Sequence, residues 1–294
     1  MNFIPIITSA RGDAQADVLL VNAKMINVFS GRIIKGSIAV KDGTIVGFGE
    51  YEATHTVDLK GRYVAPGFID SHVHIESAMT CITEFARTVA PCGTTTIVAD
   101  PHEIANVLGA AGIDYMLQSA EHQPMNCLFA LPSCVPATDM ETAGARLNAS
   151  DLAPFFSHPR IVALAEMMNY PGVIFTDAQV MAKLDLARSH RRTMDGHAPG
   201  ITGHQLYAYT AAGIASDHEC TQAEEALEKL ELGMHIMVRE GTCARNLDAL
   251  FPVINQHTWP RMMWCTDDRH PHDLLTEGHV DAVIRQAVAK GLDP

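Results

Sequence analysis

From Tyr63 onward, short runs of apolar and β-branched residues alternate with helix-length segments rich in alanine, leucine and glutamate. The runs are Tyr63 to Asp70, read as a buried strand leading into His72, TTTIVAD ending at Asp100, NCLFALP from Asn126 and IVALAEM from Ile161, followed by TMDGHA from Thr193, GIASDHE from Gly213, MHIMVRE from Met234 and RMMWCTDD from Arg261. Strands separated by helices pair in parallel, because the return to the same end of a sheet takes about a dozen residues or more. Eight such units predict a (β/α)8, TIM-like barrel. A doubly wound open sheet is the runner-up, yet neither a GxGxxG nor a GxxxxGK[ST] loop is present to anchor a nucleotide. Two helices are marked by spacing. Thr221 with Glu224 precedes AEEALEKLEL and Gly233 supplies its stop, while Thr176 with Gln179 opens a segment running to about His190.

The preceding segment has a different texture. ADVLLVNAKMINVF, GRIIKGSIAV and TIVGFG are separated by turn residues, and Asp42-Gly43 between two apolar runs is a type I′ hairpin signal. Residues 1–62 therefore read as a small β-sheet subdomain, an incomplete β-sandwich, ahead of a barrel over 63–294.

Composition narrows the partners. The formal charge is −13 without any lysine- or arginine-rich run, which argues against nucleic acid or an anionic membrane and leaves a small molecule. A homo-oligomer is compatible with this surface. The seven cysteines form no CxxC and are irregularly spaced, so neither a disulfide framework nor a zinc knuckle is indicated. Most of them read as small buried residues in a reducing compartment. The amino terminus lacks a basic stretch followed by an apolar one, and no apolar run approaches the roughly 18 residues of a membrane span. A cytoplasmic location is expected.

The polar residues collect at the carboxyl ends of the expected strands, where a barrel of this kind carries its reactive groups. Strand 1 ends in His72 and His74, strand 2 in Asp100-Pro101-His102-Glu103, and strand 4 in Glu166. Strand 5 ends in Asp195-Gly196-His197, strand 6 in Asp217-His218-Glu219 and strand 8 in Thr266-Asp267-Asp268; strands 3 and 7 end without an obvious ligand, although Arg239-Glu240 follows the latter. On a strand, His72 and His74 point the same way, with Cα atoms roughly 7 Å apart. Such a pair can converge on one metal ion, although an HxH alone more often marks two ordinary strand-end histidines. Charged groups rarely enter cores unless paired or bound to metal, so six strand ends offering His, Asp or Glu favour a metal-dependent hydrolytic site. His72, His74, Glu166, His197, His218 and Asp267 suit two divalent ions, with the strand-4 carboxylate able to bridge them. Imidazole and carboxylate donors accept zinc, manganese or iron. Asp195 and Asp217 are candidates to orient the liganding imidazoles.

The HxH after strand 1, single histidines after strands 5 and 6 and the aspartate after strand 8 resemble the amidohydrolase superfamily. The strings APGFIDSHVHIES, TTTIVADPHEIANVLG, ALPSCVPAT, ALAEMMNYPGV, DGHAPG and SDHE resemble its microbial adenine deaminase branch, and the resemblance covers essentially the whole chain from about Ala16 onward. That resemblance implies hydrolysis of adenine to hypoxanthine and ammonia, with manganese or iron as the working metal. It implies His72, His74, His197, His218 and Asp267 as ligands, Asp267 being taken over Asp268 because it immediately follows the strand. Glu166 would take the bridging place that many relatives give to a carboxylated lysine, and Asp267 would move the proton. Asp100, His102, Glu103 and Glu219 are catalytic candidates that could meet the purine edge, shuttle a proton or hold a further metal; helix capping and support of the ligands is their alternative reading. The His-x-Glu…Pro-Cys-x-x-Cys signature of zinc deaminases on another fold is absent. A metal hydrolase of another cyclic amidine, amide or aminopurine is the second reading. Members of that branch continue past the barrel into strands that complete the small sheet. The expectation is a chain truncated after the barrel, whose first strands expose an apolar face: a fragment, a chain completed by another, or a short paralogue of weak or no activity.

Overall fold

In the computed structural model, which describes residues 2–293, Asp42 and Gly43 both take positive φ, 49° and 71°. That is the requirement of a two-residue type I′ turn. The turn joins β2 (Arg32–Lys41) to β3 (Thr44–Phe48), and β2 also pairs antiparallel with β1 (Ala16–Asn27). β4 (Ala53–Asp58) and β5 (Tyr63–Val64) run parallel to β1 along its other edge. The result is one five-stranded sheet with Ile33, Ile45, Phe48 and Val57 exposed. Strand β4 and the helix Ile4–Ala10 were not anticipated from the sequence. This sheet lies in the first of two compact units, Met1–Gly67 and Phe68–Pro294.

The second unit holds all eight expected strands: β6 (Phe68–Val73), β7 (Thr94–Ala99), β8 (Asn126–Leu131), β9 (Ile161–Met167), β10 (Thr193–Gly196), β11 (Ser216–Asp217), β12 (His235–Arg239) and β13 (Met262–Cys265). They pair in parallel as sheets of five and three strands. Single parallel bridges, Met194 to Ile214 and Val73 to Asp267, join the two sheets at both edges and close the ring. The interior strands are almost wholly apolar, with Ile97, Phe129, Leu131, Leu164 and Val238 buried, as expected when helices cover both ends of each crossover. Gly196 is required where β10 meets β11, since a Cβ there would lie 2.4 Å from the Ser216 carbonyl oxygen.

Local readings needed correction at three points. The expected single buried strand from Tyr63 to Asp70 breaks at Pro66-Gly67: Tyr63 and Val64 pair with β1, β6 starts at Phe68, and Ile69 is exposed. Proline lacks the N–H a ladder needs. The helix expected to open at Thr176 has Asp177 as its cap, accepting from the N–H groups of Gln179 and Val180, while Thr176 takes φ 57°. The helix Ala223–Glu231 starts after Gln222 without a side-chain cap, because Glu225 accepts from the Thr221 N–H and pulls its side chain into a buried cluster.

That cluster positions two site loops. Lys229 is fully buried, and its Nζ donates to Asp217 Oδ2 (3.1 Å), Glu225 Oε1 (2.7 Å) and the Ala198 carbonyl (2.8 Å). Asp217 also accepts from the N–H groups of Ala198 (3.0 Å) and Glu219 (2.7 Å), and Glu225 from Gly200 (2.9 Å). The loop after β10 is thereby tied to the loop after β11. Among the described residues no helix is long and apolar enough to cross a membrane.

Two predictions follow from this packing. Lys229→Met leaves two buried carboxylates without their cation and should lower stability by about 3–5 kcal/mol in urea unfolding; an unchanged midpoint would refute the hub. Burial pushes the Cys127 and Cys134 thiols up to about 11, and those of Cys220 and Cys265 upward too, whereas Cys81 and Cys243 are exposed. At pH 8, a disulfide reagent should label Cys81 and Cys243 quickly, leaving those four to react only after denaturation.

Candidate metal centre

The chain leaves β13 through Asp267 in the left-handed region, φ 55°, a conformation aspartate tolerates better than most residues. The twist turns the Asp267 carboxylate into the barrel and leaves Asp268 exposed, against Ser77. Across the seam, the Asp267 N–H donates to the His72 carbonyl (3.0 Å), and the His74 N–H donates to the Asp267 carbonyl (3.2 Å). Asp267 Oδ1 lies 3.1 Å from His74 Nε2 and 3.5 Å from His72 Nε2, and those two nitrogens are 3.0 Å apart.

Glu166, at the end of β9, sits between two pairs of imidazoles. Its Oε1 is 3.3 Å from His74 Nε2 and 3.7 Å from His72 Nε2. Its Oε2 meets His197 Nδ1 and lies 3.3 Å from His218 Nε2. The four histidines expected as ligands therefore stand around the Glu166 carboxylate, with one oxygen turned toward each pair, and Asp267 closes on the first pair. His72, His74, Glu166, His218 and Asp267 are buried and His197 is half-buried.

The donor chemistry tests whether a cation fits. His74 Nδ1 is 3.0 Å from the Asp100 carbonyl, which can only accept, so Nδ1 carries the hydrogen. His72 Nδ1 is 3.0 Å from Asp195 Oδ2. The Asp195 carboxyl lies below its usual range: burial opposes ionisation, and the hydrogen bond from His72 overcomes it. With both Nδ1 atoms as donors, the Nε2 lone pairs face each other and two carboxylates. Four electron pairs converge with no proton assigned between them, which is the arrangement a divalent ion satisfies. Burial disfavours charge on His72, yet Asp195 and Asp267 raise its proton affinity; burial also works against ionised Glu166, yet His102, His197, His218 and His74 hold its carboxyl well below the usual range. Both directions describe a pocket that draws positive charge.

Around this centre lie the catalytic candidates. Asp100 Oδ2 accepts from His102 Nδ1 (2.9 Å), an atom also 3.3 Å from Glu166 Oε1. Glu103 Oε2 is 3.5 Å from His74 Nδ1 and has no hydrogen-bond donor among the described residues. Glu219 Oε1 lies 3.6 Å from His218 Nε2 and 3.8 Å from His197 Nδ1. Asp195 does orient an imidazole, but Asp217 does not: it serves Lys229 and backbone N–H groups, and buried His218 Nδ1 has no hydrogen-bond partner among the described residues.

Strands 3 and 7, expected to end without ligands, still reach the site. Arg239, the last residue of β12, pairs with Glu219 and donates to Asp267 Oδ2 (2.9 Å). The Arg239-Glu240 pair after an apolar run was its only signal, and its partners 20 and 28 positions away carry none. Cys134, beyond β8, is buried against His102. His74, His102, Glu103, Met168, Glu219, Arg239 and Asp268 are among the residues lining a cavity of about 170 Å³ over the centre.

The Amidohydrolase family matches residues 63–257. The chain is 54% identical over 289 residues to an adenine deaminase of Desulfatibacillum aliphaticivorans, covering 98% of this chain and 51% of that protein. It is 53% identical over 296 residues to an adenine deaminase of Kosmotoga olearia, covering 100% and 51%. The chain thus spans about half the length of the curated relatives it matches. A crystal structure of an adenine deaminase superposes with a TM-score of 0.59 over 88% of this chain and 74% of its own, at 16% identity, a likeness of fold. On the match that covers most of its barrel, from the HxH strand through the strand ending in Arg239, the chain belongs to the amidohydrolase family.

Proposed function

We propose that this chain carries the catalytic barrel of an adenine deaminase, which hydrolyses adenine to hypoxanthine and ammonia at a pair of divalent ions. The observation that carries the reading is the convergence of His72, His74, Glu166, His197, His218 and Asp267 in a sequence about half identical to proteins named adenine deaminase. Membership of the family implies a divalent metal. We assign His72, His74 and Asp267 to one ion, His197 and His218 to the other, and Glu166 to both. Mn2+ is the proposed ion, and the same nitrogen and oxygen donors accept Fe2+ or Zn2+.

When bound, such ions lower the pKa of water so that it is a nucleophile at neutral pH. The protein's own groups do the rest. A bond forms from the water oxygen to the ring carbon bearing the amino group, and the bond from that carbon to the amino nitrogen breaks. Asp267 accepts the proton of the attacking water on Oδ1 and returns it to the departing ammonia, while Arg239 holds Oδ2 and keeps the carboxylate from turning away. Glu219, fixed by the same guanidinium beside His197 and His218, takes the second proton of the attacking water and passes it to the ring nitrogen, which leaves the carbonyl of hypoxanthine. His102, held by Asp100, and Glu103, with its free Oε2, meet the substrate edge as donor and acceptor.

The experiment is ammonia release from adenine by the purified chain loaded with Mn2+, run beside adenosine, guanine and dihydroorotate. Adenine turnover that disappears with a chelator and with His72→Ala is expected. Background release from adenine in a metal-loaded sample would refute the assignment, and selective use of another member of the panel would move it to the second substrate class. Asp195→Asn, which weakens the acceptor on His72, should lower Mn2+ affinity about 10–100-fold, read by calorimetric titration. Mn2+ at 100 times its Kd for a site should stabilise the chain by about 2.7 kcal/mol, visible as a raised Tm that a chelator reverses.

A further inference from the structure

We propose that His279, far from the ligand motifs in the sequence, is a positioning residue of the metal centre: through Asp70 and Thr266 it sets the spacing between the strand carrying His72 and His74 and the one ending in Asp267. The inference rests on the metal reading given above and adds a residue that no ligand pattern points to.

The strand pair that brings these ligands together is weakly laddered. β6 pairs with β7 at four register positions and β12 with β13 at four, whereas β6 and β13 share the single Val73–Asp267 bridge. Side chains take the place of the missing ladder. Asp70 Oδ1 accepts from the N–H groups of His72 (3.3 Å) and Thr266 (3.2 Å), each a neighbour of the ligand geometry. Asp70 Oδ2 accepts from the Thr266 hydroxyl and lies 3.1 Å from His279 Nε2. His279 Nδ1 is 2.8 Å from the hydroxyl of Thr94 on β7.

A carboxylate only accepts, so Nε2 bears the hydrogen and the Thr94 hydroxyl donates to Nδ1. Asp70, Thr94, Thr266 and His279 have no exposed surface. A buried carboxylate short of one donor is costly, and of the residues that supply one to Asp70 in these contacts, His279 alone stands neither on β6 nor directly after β13. His279 is itself anchored: it precedes the helix Val280–Ala289, and its N–H donates to Asp281 Oδ1 (2.8 Å). Removing its N–H frees Asp70 to turn, which releases the His72 and Thr266 amides and lets the seam drift.

The test compares His279→Leu, which fills the space without a donor, with His279→Gln, whose amide N–H can still reach Asp70. Val283→Ala, in the same helix and buried, serves as a control that loses stability while every side chain of the network is unchanged and the Val283 N–H still donates to the His279 carbonyl (3.4 Å). Mn2+ affinity is read by calorimetric titration, and hydrogen exchange of segments 68–74 and 262–268 is read without metal. The expected result is Mn2+ binding about 10–100-fold weaker in His279→Leu, faster exchange in both segments, and near wild-type values for His279→Gln and Val283→Ala. Wild-type affinity and exchange in His279→Leu would overturn the proposal, as would an equal loss in Val283→Ala. A wild-type chain that takes up no Mn2+ would overturn the metal reading and this role together, whereas normal uptake with an unaffected His279→Leu would overturn only this role.

Discussion

The barrel closes where β13 returns to β6, and it closes on two backbone hydrogen bonds exchanged between Asp267 and the residues flanking Val73. Everything at the site depends on that contact. It brings residues nearly 200 positions apart into one cluster, and it does so at the carboxyl ends of the strands, where backbone pairing gives way to loops. The opposite junction, between β10 and β11, is equally sparse: one bridge, with Asp195 accepting from the Ser216 hydroxyl (2.6 Å) and from the Gly196 N–H (2.8 Å). Each thin junction is thus stitched by a buried aspartate. Asp195 also reaches across to His72, so one carboxylate braces a seam and orients an imidazole.

Burial of so many ionisable groups is unfavourable unless every charge is answered. Here the answers are layered. Below the rim, Lys229 offsets Asp217 and Glu225. At the rim, Arg239 offsets Glu219 and one oxygen of Asp267. At the centre, the remaining carboxylate oxygens meet imidazoles alone, and their shared demand for positive charge is what a pair of divalent ions would meet. Farther out, burial and the neighbouring Glu103 push the Glu76 carboxyl up to about 7, so the negative surroundings extend beyond the ligands themselves.

Much of this was legible in the chain. Seven of the eight barrel strands lie within the runs expected of them, and the first starts later, at Phe68, and runs on to Val73; the runs are legible because parallel strands covered by helices must be apolar along nearly their whole length. The Asp42-Gly43 turn was legible for a local reason, since few residue pairs accept positive φ twice. Helix starts were less so. Thr176 and Thr221 have the right spacing, yet Asp177 and the buried Glu225 won the local competition for backbone N–H groups. The strand from Tyr63 was split because its first two residues found a partner in β1. Arg239 and Cys134 were missed because their significance comes from neighbours on other strands.

What the sequence determined alone is the kind of chain this is: alternation of strand and helix, reactive residues at strand ends, and a stock of imidazoles and carboxylates suited to divalent ions. Those properties are carried by residue type and short-range spacing. Tertiary structure decided which oxygen of Glu166 faces which histidine pair, that Asp267 turns inward while Asp268 turns out, and that Asp217 belongs to Lys229 instead of to a ligand. The reason is closure. A ring of strands sets distances between residues remote in the chain, and hydrogen bonds and charges respond to those distances, which no local pattern encodes.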